Sequence, residues 1–102
     1  MIVKVTQEHI EKALVSANLG HMKSLTCPVA RALCETFKVK GVSAGYEELT
    51  VGVFPEDNIV FNIKTPQEVV NKMIDFDMFC SLEKSVLIEP FEFDLPLEGV
   101  KL

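Results

Sequence analysis

The apolar residues of this chain change their spacing several times, and each change marks an element. Ile2, Val3 and Val5 open an extended run, IVKVT, which reads as a short first strand. Ile10, Leu14 and Ala17 then fall at helical spacing over residues 7–18. Thr6 stands where an N-cap is wanted. Glu8 puts a negative charge in the first turn, where the helix dipole favours it, and Asn18 and Gly20 close the helix.

GHMKSLT reads as a loop into a second helix over residues 28–38. Pro28 suits the first helical position, where its missing N–H is not needed. Val29, Ala32, Leu33 and Phe37 make the core face. GVSAG, with two glycines, reads as a strand fragment or a turn. In residues 47–54 Leu49, Val51 and Val53 alternate with polar or small neighbours; PEDN turns the chain, and IVFNI returns. Residues 47–63 are therefore expected to form a hairpin.

Thr65-Pro66-Gln67-Glu68 predicts a helix start, with Thr65 as cap, Pro66 in the first position and Glu68 reaching back as a capping box. That helix runs to about Phe79, with Val69, Val70, Met73, Ile74 and Phe76 as its apolar face. The stretch SVLIEPFEFDLPL reads as an extended edge segment. Phe91, Phe93 and Leu95 point one way, Glu92 and Asp94 the other, and Pro90 and Pro96 are best tolerated at an edge. The order β-α-α-β-β-α-β predicts a small α+β fold, one domain over residues 1–102, with a mostly antiparallel sheet and helices on one face.

Composition narrows the class. In 102 residues, 48% hydrophobic and 25% charged, a modest core is within reach without staples, and disorder is not expected. No apolar run approaches a membrane span and no charged-then-apolar leader is present, so the expectation is a soluble, cytoplasmic protein without a membrane partner. Cys27, Cys34 and Cys80 form no C-x-x-C. On one helix Cys27 and Cys34 would lie about 10 Å apart, too far for a disulfide. His9 and His21 do not stand at metal-motif spacing from the cysteines. Reduced thiols, no metal and no cofactor are expected.

The net charge of −5 argues against direct nucleic-acid binding, which needs a basic face. The charge is uneven, however. Lys12, Lys23, Arg31, Lys38 and Lys40 lie in one stretch against Glu35, whereas residues 75–98 are acidic apart from Lys84. Such a split suits a small anionic ligand or a self-complementary oligomer.

Catalytic signatures are missing: there is no G-x-S-x-G, no P-loop and no dinucleotide glycine pattern. His21 precedes Cys27 by six residues, but so small a chain has little room for an orienting base and an oxyanion hole. Cys27 reads better as a half-buried cap. Asp75 and Asp77 diverge on a helix, and Glu92 and Asp94 read as the solvent face of a strand. The protein is therefore read as non-enzymatic. HMKSLTCPVAR offers a candidate anion site at the helix start, with Lys23, Ser24, Thr26 and Arg31 as contacts and His21 as a further one.

Taken in order, VTQEHIEKA, CPVARAL, VSAG, TPQEVVNKMIDFD and PFEFDLP resemble a family of small phage- and prophage-encoded hypothetical proteins. The resemblance covers most of the chain and contains no catalytic motif. It implies an accessory protein, in the host cytoplasm, that acts by stoichiometric binding. One form is an anti-defence protein that sequesters a small anionic signal, such as a nucleotide of host immunity, as a homo-oligomer. An alternative is an inhibitor that plugs a host defence protein through its acidic face, and a third is a structural phage component. A homodimer or higher oligomer is also expected from the apolar content and from a free edge carrying Phe91 and Phe93, with C-terminal strand exchange as one route.

Overall fold

A computed structural model describes residues 1–20, 23–79 and 89–97. The elements are β1 (Ile2–Val5), α1 (Gln7–Asn18), the single turn α2 (Lys23–Thr26), α3 (Pro28–Phe37), β2 (Val42–Ala44), β3 (Glu48–Val51), β4 (Phe61–Lys64), α4 (Gln67–Phe79) and β5 (Phe91–Asp94). The fold is α+β with antiparallel strands, as the patterning predicts.

Three features differ from the expected order. Lys23–Thr26 of GHMKSLT, read as a loop, form the helical turn α2. GVSAG supplies a strand of its own, because Val42, Ser43 and Ala44 pair with Val51, Thr50 and Leu49. The strands also divide into two sheets, a β2-β3-β4 meander and a β1-β5 pair. Local turns build the first, whereas the second joins the two ends of the chain, with Val3 opposite Phe93 and Val5 opposite Phe91. Helix α3 packs against β1 and β2 alike, so one core serves both sheets. Val3, Val5, Phe93 and Leu95 reach it from one sheet, and Val42, Leu49, Val51 and Phe61 from the other.

The helix starts show how local chemistry sets these elements. Thr6 caps α1, its hydroxyl accepting from the His9 N–H at 3.3 Å. His9 completes the capping box, its Nδ1 accepting the Thr6 N–H at 3.0 Å. At α3 the Cys27 thiol sulfur accepts the Ala30 N–H at 3.4 Å, and Pro28 follows in the first turn. The helix closes on Lys38, which adopts the left-handed conformation at φ 55°.

Helix α4 departs from its predicted start. It begins at Gln67, so Pro66 precedes it, and the Pro66 carbonyl accepts from Val69 and Val70, each at 3.0 Å. The buried Thr65 hydroxyl instead donates to the Gly45 carbonyl at 2.6 Å, tying the helix entry to the β2–β3 turn. Val69, Met73 and Phe76 are buried as expected, but Ile74 is exposed.

Candidate functional site

The start of α3 faces inward. Cys27, Pro28, Val29 and Ala30 are all buried. The Ala30 N–H is taken by Cys27 Sγ, and the Arg31 N–H donates to the Cys27 carbonyl at 3.0 Å. Burial pushes the Cys27 thiol up to about 11, so it stays a neutral cap rather than a thiolate nucleophile at neutral pH. The donors that an anion would seek at this helix start are therefore already engaged in the core.

One turn further on, the picture opens. Arg31 is half-buried, and its Nε donates to the Thr26 carbonyl at 2.9 Å. A second guanidinium N–H donates to the Ser16 hydroxyl on α1. These bonds fasten α3 to both preceding helices and fix the plane of the guanidinium. Arg31 and Thr26 line an open cleft of ≈ 470 Å³ formed by α1, α2, α3 and the segment after α3. Lys12 enters this cleft from α1 and Lys40 from beyond α3. Of the residues expected at the site, Thr26 and Arg31 thus share one space. Only the backbone of Lys23 and Ser24 is described, within α2, and His21 lies outside the described residues.

The cleft is not uniformly basic. Glu8, His9 and Glu35 also line it. Lys12 Nζ lies 2.8 Å from Glu8 Oε1, and this ammonium holds the Glu8 carboxyl below its usual range. Lys40 Nζ lies 3.6 Å from Glu56 Oε1. The nearly buried ring of His9 meets the exposed Glu35 carboxylate through Nε2. Cys34 also lines the cleft, and burial raises its thiol. Among the described residues no three His, Cys, Asp or Glu side chains come together in a way that could hold a metal ion, and no described helix is long and apolar enough to cross a membrane.

The acidic residues sort as follows. Asp75 is exposed, whereas Asp77 accepts a hydrogen bond from the Tyr46 hydroxyl, and that bond raises the Tyr46 phenol to about 12. Glu92 and Asp94 are exposed on β5. Lys12, Lys40 and His9 were not singled out as site residues by their sequence context. The signal that could have found the two lysines is their membership of the basic stretch around Arg31.

No family model, no curated protein and no solved structure matches the chain.

Proposed function

We propose that this is a non-enzymatic binding protein that sequesters a small, nucleotide-like anion in the cleft between α1 and α3. The observation that carries this reading is the convergence of Lys12, Arg31 and Lys40, from three separate segments, on one cleft together with Thr26. A phosphate group suits such a set, because a planar guanidinium fork and two exposed ammonium groups can share its oxygens. Arg31 is already held by Thr26 and Ser16, so little side-chain entropy is lost when it engages a ligand. The Lys12–Glu8 and Lys40–Glu56 pairs are solvent-exposed, and such pairs contribute about 0–1 kcal/mol, so a multivalent anion can displace the acids. The role of a phage accessory protein that counters host defence rests on the resemblance of its sequence segments.

Titration calorimetry at low salt, with pyrophosphate and a cyclic dinucleotide as probes, tests the reading. Binding of either probe is expected, weakening steeply with added salt. Arg31→Ala is expected to reduce affinity about tenfold or more, and the Lys12→Ala/Lys40→Ala double variant, confined to exposed side chains, to do the same. No binding of either probe, or unchanged binding in both folded variants, overturns it.

A further inference from the structure

The ladder between β1 and β5 reveals which backbone groups face away from it. Met1 and Leu95 exchange both hydrogen bonds: the Leu95 N–H donates to the Met1 carbonyl at 2.7 Å, and the Met1 nitrogen donates to the Leu95 carbonyl at 3.2 Å. Bonded and non-bonded pairs alternate along an antiparallel ladder. Val3–Phe93 and Val5–Phe91 are thus bonded pairs, and Ile2–Asp94 and Lys4–Glu92 are not. The N–H and C=O groups of Ile2 and Lys4 point outward, and no described residue bonds to them. An open groove of ≈ 330 Å³ adjoins that edge, lined on one side by Ile2, Lys4 and Thr6 and on the other by His9, Glu35 and Thr36, and by no residue of β5. By the same register Glu92 and Asp94 point their backbone groups out from the opposite edge.

The two edges are not equivalent toward a second copy of the chain. Pairing β5 with β5 of another copy would set Glu92 opposite Asp94 of the partner subunit at both ends, and like charges directly opposite are destabilising. This is how an edge is protected against pairing. Pairing β1 with β1 about a dyad at Val3 sets Lys4 opposite the partner's Ile2, and no like charges stand directly opposite one another. The outward groups of Ile2 and Lys4 then close a bonded ladder on both sides of the dyad. Ile2 and Met1, each more than half exposed in the single chain, become partly covered.

We propose that the chain dimerises through its β1 edge, forming a continuous β5-β1-β1-β5 sheet across a two-fold axis. A lone two-stranded ribbon is marginal in water, and the pairing converts two such ribbons into one four-stranded sheet. The pairing does not depend on whether an anion fills the cleft.

Sedimentation equilibrium tests it, with circular dichroism as the control for folding. The wild-type chain is expected to show twice its monomer mass over a micromolar to millimolar series. Ile2→Lys places like charges across the dyad twice, yet sets its new ammonium beside Asp94 within the chain, so the fold is kept. It is expected to weaken the dimer by about tenfold or more. Lys4→Pro deletes an outward N–H while leaving the β1–β5 ladder untouched, and a monomer is expected. A wild-type chain that stays monomeric throughout overturns the proposal. So does a dimer unaffected by Ile2→Lys, whether or not the proline variant folds.

Discussion

The backbone N–H of Thr6 donates to Nδ1 of His9, and that single bond decides how His9 meets Glu35. With Nδ1 accepting, the neutral ring carries its proton on Nε2, the atom that faces the Glu35 carboxylate. His9 thus closes the N-terminus of α1 and links it to α3. His9→Ala leaves the Thr6 N–H without its partner and removes a buried ring, so a loss of about 1–2 kcal/mol is expected. His9→Gln keeps a side chain that can reach back to Thr6 and is expected to recover part of that loss. Urea unfolding of the two variants checks this; equal losses would mean that the cap contributes nothing.

Cys27 gives a prediction in alkali. Its thiol is pushed up to about 11 by burial, from an ordinary value of 9.0. The unfolded chain ionises this thiol first, so its contribution to stability is complete below pH 9 and is lost as the pH rises through about 11. The difference corresponds to about 3 kcal/mol. The alkaline fall in unfolding free energy is expected to be shallower in Cys27→Ala than in the wild type over that range. A thiol reagent at neutral pH is also expected to spare Cys27 while the fold is intact. Parallel alkaline slopes in the two proteins would refute the assignment.

Gly52 is a position where the backbone demands glycine. Its φ is +82°, and a Cβ there would lie 1.8 Å from the Ile59 carbonyl oxygen. Its N–H meanwhile donates to the Gly41 carbonyl at 2.9 Å, closing β3 against the segment after α3. Gly52→Ala combines an unfavourable conformation with a backbone overlap, and a loss of about 2–4 kcal/mol is expected by thermal unfolding. A melting temperature within a degree or two of the wild type would show that the turn yields easily.

What could be read from the chain followed the range of the interactions involved. The spacing of Ile10 and Leu14, and the Cys27-Pro28 start, are local signals, and both helices appear where they predict. Thr65 reads as a cap because its nearest donors lie just ahead in sequence, whereas its hydroxyl finds the Gly45 carbonyl, 20 residues back. The strand at Val42–Ala44 is short and carries small residues, so only its pairing with β3 defines it. The anion reading at Pro28 rests on local chemistry alone, and the burial of Val29 and Ala30, which turns that helix start into the core, is a tertiary fact. Lys12 and Lys40 belong to the same basic stretch as Arg31, but only the packing of α1 on α3 brings the three to one cleft.

Asp57 fixes the backbone from which Lys40 extends into that cleft, and its effect is testable in acid. Its carboxylate accepts the Lys40 N–H at 2.8 Å and the Gly41 and Phe54 N–H groups at 3.2 Å each. These bonds, that of Lys40 foremost, hold the carboxyl below its ordinary value of 3.8. A carboxyl lowered in the folded state stabilises the fold above its unfolded value, and that contribution disappears as the pH falls through the folded value. Asp57→Asn keeps one acceptor oxygen but no charge. Its deficit relative to the wild type is expected to be largest near neutrality and to shrink as the pH drops below 3.8. Urea unfolding across the acid range reads this gap, and amide exchange at Lys40 and Gly41 is expected to quicken in the variant. A gap that stays constant with pH would mean that the charge of Asp57 adds nothing to these bonds, and unchanged exchange would mean that Lys40 is held by other means.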